Sequence, residues 1–144
     1  MPLKVELKPG ERIVLGDCVI TNADQRTRLV IEGDVAVLRE KDIMTREAAN
    51  SPAKRIYLMI QLMYTSKDPG LHHETYFSLV RDILRAAPSM WEIVESINNH
   101  ILTGEMYKAL KSARKLIARE EELLSHEQRR QGLSKRRDAD IKSA

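Results

Sequence analysis

The distribution of hydrophobic and polar residues divides the chain near residue 44. Before this point, short apolar segments are separated by turn residues. Leu3, Val5 and Leu7 alternate with charged residues, which is the period-two pattern of a half-buried strand. Pro9-Gly10 then has the composition of a type II turn. Beyond residue 44, apolar residues recur at helical spacing. The chain therefore predicts an α+β fold, with a small antiparallel β module of about five strands followed by a helical bundle.

The predicted elements have the following bounds. Strands are expected over residues 3–8, 12–15, 18–21, 26–32 and 35–38. Helices are expected over residues 45–49, 53–66, 74–86, 89–104 and 105–130. The domains predicted from these elements are a β module over residues 1–44, a helical bundle over residues 45–132, and a basic, flexible tail over residues 133–144.

Capping residues support the helix boundaries. Thr45 is expected to cap the short first helix, and Ser51-Pro52 gives the next helix a capping hydroxyl followed by proline at its first position. Ser89 and Glu92 have the spacing of a capping box, and Gly104 suits a helix C-terminus.

Helical spacing also predicts the buried faces. Phe77, Val80, Ile83 and Leu84 are expected to point inward, and a core position is favoured over an exposed interface for Trp91. The Leu/Met stripe over residues 106–124 fits a bundle helix and a partner-binding helix equally well.

Composition narrows the class of protein. With 42% hydrophobic and 31% charged residues, and no apolar run near the roughly 20 residues that cross a bilayer, a soluble, cytoplasmic protein without a membrane partner is expected. The positive charge lies mainly in residues 105–144, where 11 lysines and arginines face 7 acidic residues. This asymmetry mildly favours an acidic partner such as RNA.

Signatures of enzymes are missing from the sequence. It contains neither a glycine-rich phosphate loop nor a Gly-x-Ser-x-Gly motif. Cys18 lies in an apolar segment, which favours a buried structural thiol over a nucleophile. His72 and His73 are adjacent and do not share a helix face, which favours a solvated helix start over a metal pair. We therefore expect a non-enzymatic protein with no cofactor and no metal site.

Three segments closely resemble the FlbT family of flagellar regulators. They are LKVELKPGERIVLGDCVI at residues 3–20, VAVLREKDIMT at residues 35–45, and SPAKRIYLMIQLMY at residues 51–64. The resemblance covers essentially the whole chain. It implies a post-transcriptional repressor that associates with the 5′ untranslated region of flagellin mRNA, blocks translation and promotes mRNA decay. It also implies FlaF as a second protein that tunes flagellin output, and some members of the family activate instead.

The β module is also distantly similar to the carbon storage regulator CsrA. The shared pattern is Gly10-Glu11, Gly16-Asp17, Val19, Val35-Ala36-Val37, Arg39-Glu40 and Ile43. CsrA is a five-stranded RNA-binding dimer whose RNA surface combines the first strand with the end of the last. The resemblance therefore implies a homodimer and the RNA-binding residues Val5, Lys8, Val37, Leu38, Arg39 and Glu40.

Two departures make this surface less basic than in CsrA. Only Lys8 remains of two paired basic residues, and Leu38 replaces a histidine. Arg39 could stack on a base or bind phosphate in a bidentate manner, and Glu40 could accept from an exocyclic amine or orient Arg39. The alternative is that Arg39 and Glu40 form an ordinary surface ion pair.

Two functional hypotheses follow. The first is a repressor that binds the flagellin mRNA leader. The alternative is a protein-interaction module whose helices bind FlaF, flagellin or a flagellar chaperone and affect the mRNA indirectly.

Overall fold

The computed structural model describes residues 2–143, with side chains for residues 2–132. Within this range the α+β fold predicted from the sequence is confirmed. The strands are β1 (Leu3–Leu7), β2 (Arg12–Leu15), β3 (Cys18–Thr21), β4 (Thr27–Ile31) and β5 (Val37–Arg39). The helices are α1 (Pro52–Thr65), α2 (His73–Ala86), α3 (Trp91–Leu102) and α4 (Met106–Ser143). The predicted tail, residues 133–144, lies outside the described side chains.

The five strands form two small antiparallel sheets. In one, β1 pairs with β4, with Leu3 opposite Ile31 and Leu7 opposite Thr27. In the other, β2 lies between β3 and β5. Gly10 adopts a φ of +79° in the turn after β1, a left-handed conformation that glycine accepts without steric cost. The β module thus brings β1 and β5 close without pairing them to each other.

Two apolar clusters stabilise these elements. The smaller one is built around Val5, Leu7 and Ile13 inside the β module. The larger one is formed by α1 to α4, and it includes Leu38 from β5, which is fully buried. Because side chains alternate along a strand, Leu38 faces the helices while Val37 packs on the smaller cluster. Strand β5 therefore belongs to both clusters.

The ends of the helices follow local sequence with two exceptions. As predicted, the Ser51 hydroxyl accepts a hydrogen bond from the Lys54 amide at 3.3 Å, with proline at the first helical position. The predicted helix at Thr45 is wrong, since residues 46–48 form only a turn. The Thr45 hydroxyl does accept a hydrogen bond from the Ala48 amide. Ser51, however, precedes a proline and stays extended, so no helix continues through it.

The predicted capping box of Ser89 and Glu92 is also wrong. Residues 88–90 form a 3-10 turn, in which the Met90 amide donates to the Ala87 carbonyl. Met90 therefore takes the capping position of α3 in a helical backbone conformation, and no side chain caps this helix. Gly104 follows the helix with a φ of +77°, as expected of a C-terminal glycine.

Two aromatic residues lie outside the core, contrary to prediction. Phe77 is 51% exposed, because the buried face of α2 is displaced by one residue and places Tyr76 in the core instead. Trp91 is 54% exposed, since the 3-10 turn before α3 directs Met90 inward. Leu84 is partly buried against the helical cluster, in line with its predicted position.

The predicted burial of Cys18 is wrong as well. Strand β3 is the outer strand of its sheet, and all four of its residues are exposed. Apolar residues along a strand favour burial, but β3 lacks a covering layer among the described residues.

Tyr76 gives the fold a dependence on alkaline pH. Burial raises the pKa of its hydroxyl well above its ordinary value, while the hydroxyl donates to Asn98 Oδ1 at 2.6 Å. The unfolded chain loses this proton near pH 10 and the folded chain keeps it. The contribution of Tyr76 to the free energy of unfolding is therefore complete below pH 10. Above pH 10 this contribution falls by up to about 1.4 kcal/mol per pH unit.

We expect Tyr76→Phe to lower the free energy of unfolding by about 1 kcal/mol at pH 7, through the lost hydrogen bond. Above pH 10 the variant should lose stability less steeply than the wild type. Urea unfolding at pH 7 and pH 10.5 checks both values, with the pH 7 pair as the control for the hydrogen bond alone. Parallel losses in the two proteins would contradict the prediction.

Candidate functional site

The ends of β1 and β5 meet at a charged cleft of about 250 Å³, here called the strand-end cleft. It is lined by Glu6, Lys8, Glu11, Arg26, Arg39, Glu40 and Lys41. Three of the predicted RNA-binding residues, Lys8, Arg39 and Glu40, thus surround one cavity although the strand ends that carry them belong to different sheets.

Strand alternation directs Arg39 toward this cleft. Leu38 points into the helical cluster, so its neighbours in β5 point to the opposite face. Arg39 lies opposite Ile13 in the pairing of β5 with β2, and its side chain is exposed. Burial of one residue in the helices therefore fixes the orientation of the next.

Asn22 holds the end of β1. Its side-chain amide lies within hydrogen-bonding distance of the carbonyl oxygens of Leu7 (3.0 Å), Lys8 (3.2 Å) and Gln25 (2.8 Å). Its own carbonyl accepts from the Gly10 amide. These bonds define the turn that presents Lys8, so Asn22 is a positioning residue.

Ion pairing leaves the cleft positively charged. Glu40 pairs with Arg12 at 3.5 Å and not with Arg39, so the predicted alternative of an Arg39–Glu40 pair is not formed. Arg26 pairs with Glu6 at 3.4 Å. Among the described side chains that line the cleft, Lys8, Arg39 and Lys41 take part in no ion pair, and neither does Glu11, so three positive charges remain against one negative charge. These three cations are available to a ligand.

The remaining predicted site residues lie in the interior. Val5 and Leu38 are buried at 3% and 0% exposure, and Val37 is partly buried. The side chains of Val5 and Leu38 pack in the two apolar clusters, so only their backbone groups could reach a ligand. Val37 packs against the smaller cluster and also borders a neighbouring cavity.

A partly buried ion pair fastens the end of β5 to the helices. Arg114 on α4 pairs with the carboxylate of Asp42, and also donates to the Lys41 carbonyl at 3.0 Å. The Tyr57 hydroxyl on α1 donates to the Asp42 carbonyl at 2.6 Å. Burial raises the pKa of Tyr57 above its ordinary value. This arrangement, the Asp42 clamp, fixes the backbone that carries Arg39 and Lys41.

A second cavity, the tyrosine cleft, adjoins the first. It measures about 430 Å³, and Arg39 and Lys41 line both cavities. Its walls come from the β module and the helices, and consist of Leu3, Ile31, Gly33, Val35, Val37, Asp42, Tyr64 and Tyr107. The two cavities, together called the groove, therefore adjoin at Arg39 and Lys41; the first is lined by charged side chains, and the second includes two tyrosines.

Several groove residues were missed from the sequence. The register that places Leu7 opposite Thr27 brings Arg26 beside Lys8, and this register cannot be read from the hydrophobic pattern. Tyr64 and Tyr107 lie 43 residues apart on α1 and α4, and only helix packing brings them to one cavity. Lys41 had a local signal, since it follows Arg39 by two residues in the same charged turn.

The described residues also bear on metals and membranes. No group of three histidine, cysteine or carboxylate side chains within residues 2–132 could hold a metal ion. None of the described helices is both long and apolar enough to span a bilayer.

Sequence comparison identifies the family. The sequence model of the family described as flagellar protein FlbT matches residues 3–124. This range includes both sheets, α1 to α3 and the first half of α4. The chain belongs to the FlbT family. The match ends at residue 124, so both clefts and the Asp42 clamp fall inside the family region.

Individual relatives support this assignment. The chain is 64% identical over 124 residues to a probable flagellum biosynthesis repressor protein FlbT 1 of Bradyrhizobium diazoefficiens, covering 85% of each chain. A probable FlbT of Rhodopseudomonas palustris is 54% identical over 125 residues, or 87% of this chain and 99% of the relative. The flagellum biosynthesis repressor protein FlbT of Caulobacter vibrioides is 37% identical over 129 residues, or 88% and 92%. No solved structure matches the chain significantly.

Proposed function

We propose that this protein regulates flagellum biosynthesis by binding the 5′ untranslated region of flagellin mRNA, repressing translation and promoting decay. The relatives named above are flagellum biosynthesis repressors. The observation that carries the proposal is the convergence of Lys8, Arg39 and Lys41 on the strand-end cleft, where none of them is neutralised by a described side chain.

Their chemistry suits a single-stranded RNA backbone. Arginine binds phosphate in a bidentate manner and stacks on bases, and lysine adds a flexible point charge. The loss of basic residues relative to CsrA is offset here by Lys41, which comes from the turn after β5. Arg26 also lines the cleft, but its charge is paired with Glu6.

The test is a titration of purified protein with the flagellin leader RNA at several salt concentrations. We expect Arg39→Ala to weaken binding about tenfold and to reduce the salt slope by about one, because one phosphate contact is lost. Lys8→Ala should weaken binding to all RNA sequences alike, since a phosphate contact carries no sequence information.

Lys67→Ala is the matched control. It removes one positive charge from a 91% exposed side chain outside both clefts, so its affinity and slope should stay at the wild-type values. Equal effects of Arg39→Ala and Lys67→Ala would show that only net charge matters. No specific binding by the wild type would refute the proposal.

A groove on the helices favours the second candidate, a protein-interaction module for FlaF, flagellin or a flagellar chaperone. A cavity of about 540 Å³ lies between the end of α2 and α4, and exposes Leu124 beside Ile83 and Leu123. Leu124→Asp should abolish capture of such a partner while leaving RNA binding intact. A point variant is needed because α4 supplies Leu110 and Leu116 to the core, so deleting the helix would unfold the bundle.

The homodimer implied by the CsrA resemblance has support from β3. This strand pairs on one side only within the described residues, and Val19 and Ile20 are 61% and 39% exposed. A solution mass of twice 16.5 kDa that drops to one chain in Val19→Asp would support the dimer. A single-chain mass for the wild type would refute it.

A further inference from the structure

The tyrosine cleft has the features of a binding site for a planar ligand that carries negative charge. Its volume of about 430 Å³ lies within the usual range for small-molecule sites. Its lining combines apolar and charged side chains, and three of its larger apolar or aromatic side chains, Leu3, Val35 and Tyr107, are 38% to 41% exposed. Apolar groups of this size left open beside charged groups mark a place where a partly apolar ligand can be buried.

The charge at its mouth selects an anion. Arg39 and Lys41 line the opening, and Asp42 is the one acidic residue among the described lining side chains. The carboxylate of Asp42 is already paired with Arg114. The cleft therefore offers positive charge at the side it shares with the strand-end cleft.

Its two aromatic rings are held in place. The Tyr64 hydroxyl accepts a hydrogen bond from the Val37 amide at 3.3 Å, which ties the ring to β5. Lys111 Nζ lies 5.1 Å from the centroid of the Tyr107 ring, a cation–π distance that restrains this ring. Ordered aromatic rings next to a basic track are the arrangement by which proteins bind single-stranded nucleic acid.

We propose that the tyrosine cleft receives one unstacked base of a single-stranded RNA, stacked on Tyr107, while the adjoining phosphates lie along the strand-end cleft. This inference rests on the proposed RNA-binding function and adds a base-binding site on α4. A nucleobase has apolar faces and a polar edge, and so matches a cleft with aliphatic and aromatic walls. The phosphate attached to it would reach Arg39 and Lys41, which border both cavities.

The experiment compares Tyr107→Leu with Tyr107→Phe in titrations with the leader RNA. Leucine removes the aromatic face, so binding should weaken about tenfold or more. Phenylalanine keeps the ring, so binding should stay near wild type. The salt slope should be unchanged in both variants, unlike in Arg39→Ala, because stacking involves no phosphate contact. Tyr107 is 40% exposed, so both variants should fold, and their urea midpoints confirm this.

RNAs carrying a single abasic nucleotide locate the inserted base. At one position the abasic change should weaken wild-type binding and have no further effect on Tyr107→Leu. Leader RNA that binds Tyr107→Leu as tightly as wild type would overturn the base site while leaving the proposed function intact. Tyr107-dependent binding to unrelated RNA, with no preference for the leader, would keep the base site and overturn the proposed target. Failure to bind any RNA would overturn both.

Discussion

Leu38→Ala should lower the free energy of unfolding by about 3 kcal/mol. Leu38 is fully buried although it lies on a three-residue strand, because it packs into the cluster formed by the four helices. Truncation would remove apolar contacts and leave a cavity between β5 and the helices, and both terms destabilise the fold. Urea unfolding followed by circular dichroism measures the loss.

Val30→Ala is the control, since Val30 is a strand residue of β4 that is 59% exposed and should contribute little. Similar losses in the two variants would show that β5 does not join the helical core. Leu38→His, which introduces the residue found in CsrA, should destabilise at least as much as alanine. A buried imidazole without a hydrogen-bonding partner carries a desolvation cost.

Arg114→Ala should lower the free energy of unfolding by about 2 kcal/mol, because it leaves the Asp42 carboxylate without its charged partner. The side chain of Asp42 is 9% exposed, so water replaces the lost contact poorly, whereas Arg114 itself is 47% exposed. The variant also loses the hydrogen bond to the Lys41 carbonyl. RNA binding should weaken too, since the turn that carries Lys41 would no longer be fixed to α4.

Arg119→Ala offers a matched comparison on the same helix. Arg119 forms an exposed ion pair with Glu122, at 3.1 Å and three residues away, and such pairs contribute at most about 0.5 kcal/mol. Its removal should leave RNA binding unchanged. If Arg114→Ala and Arg119→Ala behaved alike, the Asp42 clamp would have no role in positioning the groove.

The Asp42 clamp and Leu38 explain why the surface departs from CsrA. Position 38 carries a histidine in CsrA and a leucine here, which suggested a weaker RNA surface from the sequence. In this chain the added helices cover that face of β5, so an apolar residue is required there. Positive charge is instead supplied by Lys41, which reaches the same cleft from the turn after β5.

Local patterns were sufficient where neighbours in sequence decide the structure. Strand alternation predicted β1, and Ser51-Pro52 predicted the start of α1, because backbone geometry and capping depend on a few adjacent residues. The same patterns misjudged Cys18, Phe77 and Trp91. Their exposure depends on which layer covers a strand or on the rotation of a helix about its axis, and apolar character alone specifies neither.

The sequence by itself determined the order of strands and helices, the family, and the cationic residues Lys8 and Arg39 at two strand ends. Only the tertiary structure decided that these residues share a cleft, that Glu40 pairs with Arg12, and that Tyr107 adjoins them. The reason is physical: periodicity reports which residues avoid water, whereas strand register and helix packing determine which distant residues meet.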